Sequence, residues 1–184
     1  SRLTDEYPHL HWLPDVGPVP LVASAALVGH GGWGDARLGN FRDSPVRLND
    51  YYLIEDLRSE ANDEVLERKL HALGDESAAS LAGQLAAVPA GATQVFVLTH
   101  VPPFREACVY EGAISDDDWL PHFTCHAAGE MLRRAAAERP ACQFKVLCGH
   151  THGRGVCDIL PNLTVSTAGA EYGSPEIERI FDVE

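Results

Sequence analysis

Histidines 100, 150 and 152 are the residues of this chain best suited to chemistry. His150 and His152 stand two apart in segment 145–154, Lys-Val-Leu-Cys-Gly-His-Thr-His-Gly-Arg. In extended backbone, side chains at i and i+2 leave the same face. The pair could therefore converge on one metal ion, or on two ions about 3.5–4 Å apart. Gly149 and Gly153 let the backbone come close to a ligand. His100 opens the segment His-Val-Pro-Pro-Phe, where two prolines restrict the loop and preorganise the imidazole. Imidazole suits several divalent ions, which leaves Mn, Fe, Zn and Mg open. Taken singly, each histidine could equally be a hydrogen-bonded loop residue. A mononuclear zinc site from Cys148, His150, His152 and Cys157 is a further reading, although Cys148 also suits a buried apolar position.

Strand ends must hold these side chains. Both histidine segments follow short apolar runs, 93–99 and 144–148, that stop abruptly, as buried strands do where they enter loops. A third run, 21–29, predicts another buried strand. It leads into a glycine-rich loop, 30–41, in which Trp33, Asp35 and Arg37 could touch a substrate. The alternative is a packed tryptophan beside a solvated ion pair. Residues 49–57 predict a short helix or turn. Asn62 caps a helix with Val65, Leu66, Leu70 and Leu73 on one face, ending at Gly74. Asp75 or Ser77 caps a second helix, which Pro89 and Gly91 stop. Another helix spans 127–139. Segments 155–160, 163–167 and 177–183 predict three short strands. Residues 1–20 predict an irregular lead-in. The run Asp116-Asp117-Asp118 is of the kind that forms a solvated face or a helix start.

Bulk composition limits the function classes. A chain of 184 residues, 45 % hydrophobic and 22 % charged, fits one globular domain. A net charge of −13 argues against holding a nucleic-acid backbone by bulk electrostatics. No apolar run approaches the roughly 18 residues of a membrane span, and no basic-then-apolar leader opens the chain. Five cysteines without C-x-x-C spacing suggest free thiols in a reducing, cytoplasmic setting.

Taken in order, strand–His100-x-Pro-Pro and strand–Gly149-His150-Thr151-His152 resemble the C-terminal signature of the calcineurin-like metallophosphoesterase family, over about residues 93–172. The resemblance implies an α/β fold, a two-sheet sandwich flanked by helices. It implies hydrolysis of phosphomonoesters or phosphodiesters at a centre of two divalent ions. His100 and His150 would bind one ion and His152 the other, and the substrate would be a phosphorylated small molecule or other phosphoester. Thr99 departs from the glycine often found before the first histidine. The N-terminal motifs of the family, D-x-H, G-D-x-x-D and G-N-H-[D/E], have no counterpart. Gly34-Asp35-Ala36-Arg37, Gly74-Asp75-Glu76-Ser77 and Gly39-Asn40-Phe41 only begin like them. The catalytic histidine of the third motif is therefore unassigned. Residues 1–184 are expected to form a single domain, the C-terminal portion of such a phosphoesterase. A degenerate or partner-completed homologue is the alternative. Three neutral imidazoles cannot neutralise two divalent ions. Weak metal binding, little turnover by the chain alone, and self-association or docking of a complementing N-terminal segment are the resulting expectations.

Overall fold

In a computed structural model, described for residues 2–58 and 62–183, the chain is a mixed α/β structure. After two short helices, α1 (Arg2–Glu6) and α2 (Leu13–Val16), the run predicted as one strand forms a hairpin, β1 (Val19–Val22) and β2 (Ala25–His30). Two short helices, α3 (Asp50–Leu53) and α4 (Glu55–Arg58), precede the long α5 (Asp63–Ala87). Strand β3 (Gln94–Thr99) is followed by a two-stranded ribbon, β4 (Val109–Tyr110) and β5 (Ala113–Ile114), and by helices α6 (Leu120–Phe123) and α7 (His126–Glu138). Strands β6 (Gln143–Cys148), β7 (Gly155–Leu160) and β8 (Leu163–Thr167) complete the main sheet. Its order is β1-β2-β3-β6-β8-β7, with β2, β3, β6 and β8 parallel and the two outer strands antiparallel.

Burial follows from the pleat. Ala26, Val28, Val95, Val97, Phe144, Val146, Leu163 and Val165 point to one face and meet Leu81 and Leu85 of α5 and Leu132 and Ala136 of α7 in one core. The opposite face is only partly covered. Leu98 is 36 % and Val156 59 % exposed there. Part of the cover comes from residues 175–183, which include the segment 177–183 predicted as a last strand. It forms no strand, because it crosses the sheet face rather than pairing along an edge, and an unpaired strand is not stable. It is held by Phe181, edge-on to Phe96 at 5.5 Å, and by ion pairs from Arg154 to Glu176 and Glu178. Between this strap and the sheet lies a cavity of about 610 Å³ lined by Leu98, Leu147, Val156 and Phe181.

The predicted break at Gly74 is absent, and α5 runs straight through it. A Cβ on Gly74 would meet the Cβ of Asp35 at 2.6 Å and the Arg37 guanidinium at 3.0 Å. This glycine serves close approach, not a helix end. The Asn62 cap forms as expected, its side chain accepting from Val65 N. In the acidic run, Asp116 accepts from the amides of Asp118 and Trp119, and Asp117 pairs with Arg105.

Gly34 shows how tightly the loop after β2 sits on α6. A Cβ there would lie 2.2 Å from the His122 carbonyl oxygen. Gly34→Ala is therefore expected to cost about 1–3 kcal/mol or more by overpacking, read as a lower midpoint in thermal unfolding. An unchanged midpoint would contradict this packing.

Candidate metal centre

Strands β2, β3 and β6 end side by side, and the backbone keeps pairing beyond them. His100 N donates to Gly31 O at 2.7 Å, Gly149 N to His100 O at 2.9 Å, and Ala168 N to Cys148 O at 2.8 Å. The carboxyl edge of a parallel sheet is where open α/β folds bind ligands. On the β2 side the ladder with β1 stops at Leu27, which would leave Gly29 without a partner there. Gln84 of α5 replaces the missing strand. Its Oε1 accepts from Gly29 N and its Nε2 donates to Gly29 O, both at 2.9 Å.

His100 and His150 meet at this edge. His150 Nδ1 lies 3.0 Å from His100 Nε2, with ring centroids 4.7 Å apart. Trp33 stacks on His100 at 6.2 Å and tilts against His150 at 5.5 Å, while Phe123 meets His150 edge-on at 5.1 Å. Burial is the main force lowering both imidazole pKa values, His150 to about 4. Asp50 opposes the shift and His152 adds to it. Both rings are thus held neutral, the form that ligates metal. His150 Nε2 is buried without a hydrogen bond, although the carbonyl of His122 lies beside the ring.

The extended-backbone argument for His150 and His152 does not hold. Their φ angles are 70° and 58°, so the loop coils in the left-handed region, which histidine tolerates better than most residues. Such outliers are costly and tend to persist at functional sites. The coil turns His150 toward His100 and His152 toward Tyr172, 4.8 Å away between ring centroids. Among the described residues, no three His, Cys, Asp or Glu side chains converge closely enough to hold a metal ion. The cysteine reading is overturned as well. Cys148 lies in the core with its thiol against Thr167, and burial pushes it up to about 12; Cys157 is pushed up to about 11.

Of the loop residues, Trp33 is at the histidine pair, whereas Asp35 and Arg37 are not. Asp35 is fully buried and accepts from Arg37 N, Arg37 Nη1 and Ala127 N. Arg37 also reaches Asp75 at 2.8 Å. This pair ties the loop to α5 and to the start of α7.

Three residues packed around the pair were not read as site residues from the sequence: Tyr51, Phe123, and His122, whose spacing to Cys125 and His126 matches no zinc signature. His122 is fully buried. Its Nδ1 is 2.6 Å from Tyr51 Oη and its Nε2 is 3.2 Å from Ser44 Oγ. These contacts join residues 71 and 78 positions apart, which no local spacing encodes.

No protein-family model and no curated protein sequence matches the chain. Among solved structures, the chain is similar to the phosphopantetheinyl hydrolase of Mycobacterium tuberculosis, with 15 % identity and a TM-score of 0.54 over 85 % of this chain and 55 % of that one. The chain thus spans about half the length of that structure, and the likeness is one of fold. Among the described residues, no helix is long and apolar enough to cross a membrane.

Proposed function

We propose that the chain belongs to a metal-dependent phosphoester hydrolase of the calcineurin-like type, to which it contributes His100, His150 and His152. The observation that carries this reading is the contact of two neutral imidazoles at the carboxyl edge of a parallel sheet. His150 Nδ1 and His100 Nε2, 3.0 Å apart, are the nitrogens placed to share one ion. His100 and His150 would hold one ion, and His152, whose ring rests on Tyr172 in this structure, would bind the other. Two divalent ions, when bound, supply a water acidic enough to attack phosphorus and neutralise phosphate oxygens. The chain's own groups would hold imidazoles neutral, exclude water with Trp33 and Phe123, and fix the edge through Gln84.

The likeness to a hydrolase fold supports the reaction class. The test is hydrolysis of p-nitrophenyl phosphate with added Mn²⁺. Slow turnover that requires Mn²⁺ and disappears in both His100→Ala and His150→Ala is expected. Saturating Mn²⁺ binding without any turnover would overturn the hydrolytic reading.

A second reading, a non-catalytic or partner-completed binding module, is favoured by the open sheet face. Exposed apolar faces invite association, and Leu98, Val156, Ile177 and Ile180 are all exposed there or on its strap. This reading expects oligomers in size-exclusion chromatography. A monodisperse monomer with one sharp melting transition would contradict it.

A further inference from the structure

The sheet face turned away from α5 and α7 carries a row that is in register across four strands. Leu98 of β3 pairs with Leu147 of β6, Leu147 with Ser166 of β8, and Ser166 with Val156 of β7. Paired positions on neighbouring strands share a face, and the next positions along each strand take the other. Val97, Val146, Val165 and Cys157, the adjacent row, accordingly turn to the core. The outer row is thus an apolar floor with one hydroxyl. It runs about 14 Å, three gaps of the inter-strand spacing. The strap 175–183 roofs it, with Arg179 and Phe181 lining the same cavity of about 610 Å³ as the four floor residues. That volume falls within the roughly 300–1,000 Å³ of small-molecule sites, which are mostly apolar with a few polar groups.

Charge decides what fits under the strap. Arg154, at the rim, is neutralised by Glu176 and Glu178. Arg179 is not. Among the described residues no carboxylate pairs with it, and its guanidinium lies 5.8 Å over the ring of Phe181. Lys145, likewise without an ion pair, lies over the same ring at 5.7 Å. The chain has 27 acidic and 14 basic residues. Two cations left without a carboxylate beside one apolar cavity therefore favour an anionic group there. A protein surface would have to lift the strap to reach the floor, whereas a small molecule fits beneath it.

We propose that this cavity binds a small amphiphilic carboxylate, its alkyl chain lying along the Leu98–Leu147–Val156 floor and its carboxylate against Arg179. Phe181 closes one side of the alkyl chain and carries Arg179 on its ring. No metal is needed for this binding.

The experiment is calorimetric titration of the full chain with octanoate and with octanol, with a melting curve and a size-exclusion run for every variant. Octanoate is expected to saturate one site and to bind about tenfold tighter than octanol, the contribution of one charge-assisted contact. Arg179→Gln should remove that preference and leave octanol binding unchanged. Val156→Trp, which fills the floor from an exposed position, should abolish binding of both. Arg134→Gln, which removes an exposed cation on α7, should bind both like the wild type. Unchanged octanoate affinity in Arg179→Gln, or an equal loss of octanoate and octanol, overturns the carboxylate assignment. Binding that survives in a folded Val156→Trp overturns the cavity, as does a wild-type monomer that binds neither compound. A dimer that binds neither has this face covered by a second copy, which also overturns the proposal.

Discussion

Replacing His150 by alanine is expected to weaken divalent-cation binding by at least about a hundred-fold, the upper end of what changes to groups around a ligand cost. His150 is the inner member of the pair. It touches His100, Trp33 and Phe123, and its Nε2 has no protein hydrogen bond. His152→Ala should cost less, since its ring rests on Tyr172 away from the pair. Calorimetric titration with Mn²⁺ reads both. Equal affinities in the wild type and His150→Ala would remove the site.

Acidification is expected to destabilise the fold between about pH 6.5 and pH 4, and His122 is one reason, beside the buried His150. The Asp118 carbonyl can only accept, so Ser44 Oγ donates to it at 2.8 Å. Ser44 then accepts from His122 Nε2–H, and Nδ1 is left to accept from the Tyr51 hydroxyl. Burial raises the Tyr51 pKa, so that its proton stays in place. The same burial pushes His122 down to about 4. The folded state therefore holds the neutral ring, while the unfolded chain takes up a proton from its ordinary value of about 6.5 downward. Stability from this group is fully present above pH 6.5 and is lost as pH falls toward 4. The loss is about 3 kcal/mol, equivalent to a fall in Tm of roughly 6–12 °C for a chain of this size. Thermal melts of wild type and His122→Phe across this window isolate the effect from carboxylate titration. A difference between the two that does not change with pH would contradict the neutral buried ring.

Much of the scaffold was readable because it rests on local pattern. The apolar runs before His100 and Gly149 are strands, and segments 155–160 and 163–167 are β7 and β8 with those bounds. Here burial on the sheet dictates the pattern directly. Errors arose where tertiary contact overrides a local signal. Gly74 looks like a helix end, yet it is the gap into which Asp35 fits. Residues 177–183 alternate like a strand but find no edge to pair with. At the site, the strand ends gave the positions of His100 and His150. The left-handed turn that separates His150 from His152 is invisible in a spacing argument that assumes extended backbone. The role of His122 was missed for another reason. It depends on a contact between two short helices, that of Tyr51 in α3 with His122 in α6, 71 residues apart, and its neighbours form no diagnostic spacing.

The most direct measurement is anomalous scattering from crystals of the chain soaked with Mn²⁺. The account expects a peak within ligand distance of both His100 and His150, which lie 3.0 Å apart between His150 Nδ1 and His100 Nε2. A peak only at the cysteines or at surface carboxylates, or none at a Mn²⁺ concentration that saturates binding in solution, would contradict it.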